Sequence, residues 1–480
     1  MDMSLPAWAS PAGGLPGRVR ELLTDMSRSP APLSGPRTCA GGVVRLRTGG
    51  THLAMITDPG LVRTLLHHVT GPDLWAGHGP PPGAPPEPTA DDDPHPHGGP
   101  HPDSGPHPGD EPGAGRARVA QNLRREVLRR HSGCAVRLVR GYAGTLRDGR
   151  RIDLFQEMSS LALDLLQAGV FGSRPGDVPA PARRSQALLG ALLPCLSRTG
   201  GPLRSTGQTR LHRRITREIA VLDAEVSARL EAHRTGHAQD DGVLPLLLAA
   251  RDRRTGLPLP DHVLREEVLT LLLAGHETVT TALTWSWYEL ARSAPAAALL
   301  ADELRRPTAR RTLHEGSWRE LPVCRAVVAE TLRLHPPALF LSRRATRTFT
   351  LGPEVIRRGT LCVVSPYGLH RDPRSWNEPL SWRPERWLDG RGRFDPTAPG
   401  HPRGAYLPFG VRPRLCAAQT LVTVQSTLAL AELAGTFRVH VTGWPLGETN
   451  RGLSRCSRGR FPAVLQRRGA SHPPGGPPTA

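Results

Sequence analysis

The chain has 480 residues, and its 62 basic residues against 43 acidic residues give a formal charge of +19. Lysine is absent, so every basic residue in that count is arginine. The apolar stripes exclude a wholly disordered chain, and the 51 Gly and 50 Pro follow no Gly-X-Y period of a collagen. No apolar run approaches the roughly 18 residues of a membrane helix, and no signal peptide is recognisable, so we expect a cytoplasmic protein.

The positive charge is spread along the whole chain. A charge of +19 leaves a nucleic-acid or polyanion binder as an alternative, but the arginines form no single stripe. This spread favours a coding bias, or a basic patch that docks an acidic protein. The seven cysteines include no CxxC pair, so we expect neither a disulfide framework nor a structural zinc site. One of them could still be reactive or ligate a metal.

The first part of the chain predicts a flexible segment, a hairpin and a short helix. Residues 1–41 are punctuated by Pro and Gly and are expected to be flexible. Alternating apolar residues around a Gly-Gly pair predict a β-hairpin over 42–57. Asp58 and Pro59 then provide an N-cap and a first-turn proline, which predicts a helix through Leu66.

The stretch 77–115 differs in composition from the rest of the chain. It contains no Val, Leu, Ile, Met or aromatic residue, so it can bury nothing and we expect a disordered insertion. Its five histidines suit weak binding of a transition metal, as an alternative to a purely solvated insertion.

From residue 119 to about 470 the pattern is mainly helical, and no linker divides it. We predict helices over 210–232, 261–292 (capped by Asp261), 295–306, 322–334 and 415–434. Short strands are predicted within 349–364 and over 437–441 and 461–465. These elements indicate a mainly α fold with small β-sheets, in a single domain over 42–470 that is followed by a flexible tail, 471–480.

The longest predicted helix contains the run Ala274-Gly275-His276-Glu277-Thr278. Glycine inside a helix costs about 1 kcal/mol relative to alanine, and threonine can bond back to the preceding turn. Gly275 and Thr278 therefore mark a weak turn of the helix. The small residues leave a notch in which a flat ligand can approach closely, beside an acid and a hydroxyl that can pass protons. A helix-packing notch with Glu277 facing solvent explains the same residues.

Glu330 and Arg333 share a helix face at the spacing i, i+3 and can form an ion pair. An exposed pair of this kind contributes only tenths of a kcal/mol. Apolar neighbours favour a buried pair, which needs further hydrogen bonds, and Arg386 is a candidate third member. Taken alone, the E-x-x-R spacing carries almost no information.

Cys416 ends the run FGVRPRLC and is expected to open the last long helix. The helix dipole and the free N–H groups of a helix N-terminus favour a thiolate. Arg414 adds positive charge and can hold a carboxylate. The alternative is a buried structural cysteine, which is what we expect of the other six.

The order and separation of these motifs resemble the cytochrome P-450 family. The motifs A-G-x-E-T, E-x-x-R, P-E-R-W and F-G-x-x-x-R-x-C occur in register, together with LHPP from Leu334 and YGLHRDP from Tyr367. The resemblance covers 119–470 well and 42–76 less closely. It implies a cytochrome P-450 fold with heme between the central helix and the cysteine-bearing loop, as in the soluble bacterial members.

The resemblance also implies roles for individual residues. The iron of heme b would be ligated by Cys416, whose thiolate favours O–O cleavage. Glu277 and Thr278 match the acid–alcohol pair that delivers protons during oxygen activation. The remaining matches are a structural network of Glu330, Arg333 and Arg386; propionate-binding Arg414, Arg343 and Arg124; heme contacts at Phe409, Ala274 and Gly275; and a substrate pocket at Val279, Leu339 and Phe340.

The activity that the resemblance implies is heme-thiolate monooxygenation. One oxygen atom of dioxygen would enter an apolar small molecule, with electrons from a separate ferredoxin/ferredoxin reductase-type donor. The composition resembles that of high-GC actinomycete soil bacteria, whose relatives often modify terpenes or polyketides. A heme-binding relative without turnover is the alternative.

The chain departs from the family pattern at several positions. Arg412 and Ala418 stand where the family commonly has glycine, and Ala120 stands where it has tryptophan. A Cβ at Arg412 crowds a backbone that passes close under the porphyrin. The insertion 77–115 falls where relatives build a helix and loop over the substrate. These departures bear on heme affinity and pocket closure, and not on the fold.

Overall fold

The chain is described from a computed structural model. The structure describes residues 42–48, 51–68, 126–172, 179–196, 206–236, 242–251, 257–309, 311, 318–345, 347–397, 404–410, 416, 418–443 and 461–468. The predicted flexible ends and the predicted insertion 77–115 lie outside the described residues. So do Ala120, Arg124, Arg412 and Arg414.

The described residues form many helices and three small sheets. The helices are α1 (Pro59–His68), α2 (Glu126–Thr145), α3 (Leu154–Phe171), α4 (Ala180–Leu196), α5 (Thr206–Arg234), α6 (Leu244–Ala249), α7 (Asp261–Arg292), α8 (Ala294–Arg305), α9 (Pro322–Leu334), α10 (Pro366–Leu369) and α11 (Gln419–Thr436). The strands are β1 (Val43–Thr48), β2 (Thr51–Ile56), β3 (Arg151–Asp153), β4 (Leu341–Arg344), β5 (Phe349–Leu351), β6 (Glu354–Ile356), β7 (Leu361–Val364), β8 (Phe437–Val441) and β9 (Pro462–Arg467). Short 3-10 turns cover Trp318–Glu320 and Pro384–Trp387. The predicted fold class, mainly α with small sheets, is confirmed.

The largest sheet joins the first two strands to two strands that follow α9. It has the strand order β1-β2-β7-β4, in which β1 and β2 form the predicted antiparallel hairpin. β2 runs parallel to β7, and β7 pairs antiparallel with β4. A second sheet has the order β3-β9-β8, and β5 pairs with β6 alone. The strands β3 and β4 were not predicted, because neither shows an alternating pattern long enough to stand out.

Most helix ends follow their sequence signals. α7 and α9 begin and end as predicted, and α8 lies one residue earlier at both ends. α1 and α5 extend slightly beyond their predicted bounds. The predicted start of α11 is wrong: the helix begins at Gln419, so Cys416 precedes it. The backbone N–H of Cys416 donates to the carbonyl of Phe409, which keeps Cys416 in the loop.

Aspartate caps one of the two predicted helix starts. At α1, the Asp58 carboxylate accepts the N–H of Leu61 at 2.9 Å, as predicted. The predicted cap at α7 is wrong, because Pro260 takes the cap position and Asp261 lies in the first turn. The Asp261 carboxylate instead binds the guanidinium of Arg234 at the end of α5, with one contact at 2.8 Å.

α7 lies at the centre of the helical part. It packs against α3, α4, α5, α8, α9 and α11. Its buried residues point in several directions and include the fully buried Leu272, Val279 and Leu283, as expected of a helix inside the core. Within the described part of the chain, no helix combines the length and hydropathy needed to cross a bilayer.

Candidate active site

The turn of α7 around Gly275 packs against α3. A Cβ added to Gly275 would lie 2.6 Å from Cδ2 of Leu166, which is fully buried. The space in the direction of an added Cβ is therefore filled by Leu166 of α3, as the packing alternative expects. Contact between the Gly275 backbone and a cofactor stays a prediction. The same holds for Ala274, whose side chain lies outside the described set.

His276 is a residue of this turn that sequence analysis missed. Its Nε2 lies 3.0 Å from the Ser159 hydroxyl and 3.2 Å from the Ser159 carbonyl, which ties α7 to α3. Burial lowers the pKa of His276 to about 4, so the imidazole is neutral near pH 7. The Thr280 hydroxyl donates to the His276 carbonyl at 2.8 Å. The one sequence signal was a polar residue inside an apolar stretch.

Glu277 and Thr278 follow on the same helix. Both are half-buried, whereas Val279 beside them is fully buried in the main apolar core. The acid and the hydroxyl are therefore the two half-buried residues within an otherwise buried part of α7. Partial exposure is what a pair that moves protons requires. Their catalytic role, and the pocket role of Val279, stay predictions.

Glu330 is the centre of a buried hydrogen-bond network. Its Oε1 accepts from Arg333 Nη2 at 2.8 Å, from Arg386 Nε at 3.0 Å and from the Arg383 backbone N–H at 2.8 Å. Its Oε2 accepts from Arg333 Nε at 2.8 Å and from the Trp387 indole at 2.9 Å. The side chains of Glu330 and Arg333 are 0% exposed. Glu330 and Arg333 therefore form a buried ion pair and not an exposed surface pair.

Arg333 extends the network to a segment far along the chain. Its Nη1 donates to the carbonyls of His370 at 2.6 Å and Pro379 at 2.7 Å, and its Nη2 donates to the Ser381 carbonyl at 3.0 Å. With the two bonds to Glu330, all five guanidinium N–H groups are used. Burial alone would raise the pKa of Glu330, but the hydrogen bond and charge of Arg333 hold it below its usual value.

Cys416 lies three residues before the first residue of α11. Its N–H donates to the Phe409 carbonyl at 3.0 Å, and its carbonyl accepts the N–H of Gln419 at 3.2 Å. Gly410 has φ +72°, a conformation that favours glycine, and it turns the chain away from Phe409. Phe409 and Cys416 are both partly buried against the main core. Residues 411–415 lie outside the described set.

Two opposing effects act on the pKa of the Cys416 thiol. Burial raises its pKa, although the N–H groups of Ala418 and Gln419 act in the opposite direction. The expectation that the helix N-terminus favours the thiolate stays a prediction. A metal cation on the sulfur would supply the positive charge and deprotonate the thiol. Cys324 and Cys362 are fully buried, and burial raises the pKa of Cys362 to about 12.

Three further predicted residues lie together at the start of β4. Leu339 and Phe340 are buried just before the strand, and the Leu339 carbonyl accepts the Ser365 hydroxyl at 3.1 Å. Arg343 lies in β4 with 5% of its surface exposed, and its Nη1 donates to the Ser342 carbonyl at 2.7 Å. A buried guanidinium is compatible with holding a carboxylate. The pocket and propionate roles of these residues stay predictions.

The sequence model named Cytochrome P450 matches residues 124–452. The chain belongs to the cytochrome P-450 family of monooxygenases. The matched region contains the α7 turn, the Glu330 network and Cys416, so the predicted resemblance is confirmed.

Several relatives of this P-450 can be compared. Cyclooctatin synthase of Streptomyces melanosporofaciens is 36% identical over 229 residues, which cover 48% of this chain and 49% of that protein. A cytochrome P-450 of Mycobacterium tuberculosis, designated 139, is 29% identical over 326 residues, 66% of this chain and 73% of its own. The chloroplastic cytochrome P-450 97B2 of Glycine max is 30% identical over 353 residues, 64% of this chain and 60% of its own. The match to the first of these spans about half of that relative's length.

A solved structure shares the fold of this P-450. The heme domain of a mutant cytochrome P-450DA has a TM-score of 0.69 at 20% identity, over 89% of this chain and 90% of that chain. At this identity the likeness concerns the fold alone, and it confirms the predicted cytochrome P-450 fold.

Membership of the P-450 family implies a heme cofactor, and the described residues fit such a group. The iron of these proteins takes a cysteine thiolate, and N–H groups directed at the sulfur stabilise and tune that ligand. Cys416 provides a partly buried sulfur, and the N–H groups of Ala418 and Gln419 act to lower the pKa of its thiol. The donor set therefore suits a ligating thiolate.

Proposed function

We propose that this cytochrome P-450 is a heme-thiolate monooxygenase, which inserts one oxygen atom of dioxygen into an apolar small molecule and reduces the other to water. The observation that carries the proposal is the position of Cys416, a partly buried cysteine whose N–H donates to the Phe409 carbonyl and whose carbonyl accepts the N–H of Gln419 at the start of α11. Electrons come from a ferredoxin/ferredoxin reductase-type donor. The +19 charge of the chain supports an acidic protein of that kind as the partner.

The proposed cofactor is heme b with Cys416 as the axial ligand. When bound, the heme supplies the reductive activation of dioxygen, and the thiolate increases the electron density on its iron. The buried position of Arg343 supports a role at a propionate, because a guanidinium fork matches a carboxylate. The other residues proposed to hold the heme are Arg414, Arg124, Phe409, Ala274 and Gly275.

Glu277 and Thr278 are proposed to move protons. The Glu277 carboxyl group takes up and releases protons beside the Thr278 hydroxyl. The Thr278 hydroxyl both accepts and donates a hydrogen bond, so it passes a proton inward without carrying a charge itself. The half-buried positions of both residues support this role.

Thr278→Ala is expected to lower the amount of product formed per electron consumed. Removing the hydroxyl interrupts proton delivery, so reduced oxygen leaves as peroxide while heme binding persists. A positioned proton-transfer group contributes typically about 10²–10⁴-fold, which bounds the expected loss. Product, peroxide and reductant consumption are measured in the same reaction.

Thr280→Ala is the matched control for this prediction. It makes the same substitution two residues further along α7, where the hydroxyl is buried and bonded to the His276 carbonyl. Coupling should stay near that of the parent protein in this control. Equal coupling in both variants would remove Thr278 from the proposed relay.

The proposed substrate is an apolar secondary metabolite of terpene or polyketide type. Buried apolar residues near β4, Leu339 and Phe340, support an apolar ligand. The similarity to cyclooctatin synthase of a Streptomyces supports the comparison with actinomycete relatives. A screen of small terpenes and polyketides for a shift of the Soret band would identify the compounds to test for turnover.

The proposed function is tested with the purified full-length chain, reduced and exposed to CO, and then supplied with a ferredoxin system, a binding compound and labelled dioxygen. The expected result is the red-shifted Soret band and one labelled oxygen atom in the product. The same reaction without a reductase is the control. A protein that lacks the band contradicts the proposed heme-thiolate site. A protein that shows the band but never incorporates oxygen into any bound compound is a heme-binding relative without turnover.

A further inference from the structure

His370 links the Glu330 network to the segment that leads to Cys416. It is fully buried at the end of α10. Its Nδ1 lies 2.8 Å from the Arg333 carbonyl, and its Nε2 lies 2.8 Å from the Leu407 backbone nitrogen. The two partners come from α9 and from the loop before α11, which are far apart in sequence.

The two hydrogen bonds fix the tautomer of this histidine. A backbone N–H can only donate, so the Nε2 facing Leu407 carries the lone pair and no proton. The proton is therefore on Nδ1, where it is donated to the Arg333 carbonyl. A single neutral imidazole tautomer satisfies both main-chain groups, and the imidazolium or the other tautomer would place a hydrogen against the Leu407 N–H.

The surroundings of His370 favour that neutral form. Burial lowers its pKa to about 3, and the positive charges of Arg333 and Arg371 act in the same direction. The imidazole also lies against Tyr406, whose ring centre is 5.4 Å from that of His370. The Tyr406 hydroxyl donates to the Ala329 carbonyl at 3.0 Å. Burial and the two neighbouring positive charges therefore favour the neutral form of the His370 imidazole.

The position of Leu407 makes this link relevant to the heme ligand. Leu407 lies two residues before Phe409, and the Phe409 carbonyl accepts the N–H of Cys416. Arg333 in turn donates to the carbonyl of His370 itself at 2.6 Å, so His370 is bound at both its main chain and its side chain. Hydrogen bonds and the short backbone segment from Leu407 to Phe409 therefore connect the Glu330 network to Cys416.

We propose that His370 is a positioning residue, whose neutral imidazole transfers the position of Arg333 to Leu407 and so sets where the Cys416 sulfur meets the heme iron. The inference rests on the proposed function, since Cys416 is taken as the iron ligand. His370 touches neither substrate nor cofactor in this role. It differs from a residue that only fills space, because its two hydrogen bonds, and not its volume, would be required.

The test compares substitutions that separate volume from hydrogen bonding. His370→Phe keeps the ring and loses both bonds. His370→Gln can still accept the Leu407 N–H, whereas His370→Asn retains only the group that reaches the Arg333 carbonyl. The matched control is His335→Phe, because His335 is also buried, with 5% of its surface exposed, but bonds the Glu289 carboxylate at 2.7 Å and not the Leu407 N–H.

Two readouts are measured on the full-length protein. Hydrogen–deuterium exchange of the peptide containing Leu407 reports the amide bond whether or not heme is bound. We expect His370→Phe and His370→Asn to speed this exchange about tenfold or more, and His370→Gln to retain most of the protection. The fraction of the reduced CO complex with the thiolate-type Soret band should fall in the same order.

Each outcome decides the proposal. If His370→Phe behaves like His335→Phe in both readouts, the hydrogen bonds do not position the cysteine and the inference is overturned. If His370→Phe does not fold, equal exchange and equal spectra for the Gln and Asn variants overturn it. If the parent protein binds no heme, the proposed function fails, and the exchange of the Leu407 amide still tests the link.

Discussion

Cys416→Ala is expected to abolish the red-shifted Soret band of the reduced, CO-bound protein. That band reports a thiolate on the heme iron, and alanine offers no electron pair to the metal. The N–H groups of Ala418 and Gln419 act to lower the pKa of the Cys416 thiol, which favours the thiolate. The measurement is the CO difference spectrum of the purified variant, scaled to its total heme.

Cys324→Ala and Cys362→Ala are the controls for this substitution. Both thiols are fully buried, Cys324 beside the Glu303 carboxylate at the start of α9 and Cys362 within β7. Neither lies in the loop before α11, so each variant should keep the full band per heme. A band that survives in Cys416→Ala, or that is lost in both controls, would contradict the assignment of the ligand.

The fold was predictable where the sequence carries a local signal. α7 and α9 have their predicted bounds because proline and apolar spacing mark them within a single segment. The cap of α7 was not predictable, because the Asp261 carboxylate is taken by Arg234 from another helix. The start of α11 was missed for a similar reason, since the Cys416 N–H is bonded back to the loop.

The candidate site shows the same division. The i, i+3 spacing of Glu330 and Arg333 predicted their pairing, and they form a buried ion pair. Most of their further partners are main-chain groups, such as the carbonyls of His370, Pro379 and Ser381. Every residue type provides a main-chain carbonyl, so the amino-acid sequence does not indicate which residues become these hydrogen-bond partners. The sequence therefore showed His370 only as part of the motif YGLHRDP, and not as a connection between Arg333 and Leu407.

The Gly275 turn marks a second limit of sequence reasoning. A small residue in a helix shows that something comes close, but not what it is. The residues around Gly275 suited a flat ligand and a second helix equally, and Leu166 of α3 fills the space. The two alternatives differ only in tertiary packing, which no local pattern contains.

Glu330→Gln is expected to destabilise the protein by about 3–5 kcal/mol, the cost of removing one partner of a buried ion pair. Glutamine keeps the shape but leaves the guanidinium groups of Arg333 and Arg386 without a counter-charge inside the protein. It also turns an N–H donor toward groups that themselves donate, among them the Trp387 indole. The free energy of unfolding in urea measures the effect.

Asp302→Asn is the matched control, because Asp302 and Arg305 form an ion pair of the same i, i+3 spacing on α8. Their side chains are 55% and 69% exposed, so we expect a change below about 1 kcal/mol.

The pH dependence gives a second check. The folded-state pKa of Glu330 is held below its usual value, so its contribution is present above the ordinary carboxyl pKa of about 4.3 and is lost as the pH falls. The Glu330→Gln variant should lack that part of the acid dependence, while Asp302→Asn should retain it. Similar unfolding free energies for the two variants would show that burial of the Glu330 network does not stabilise this fold.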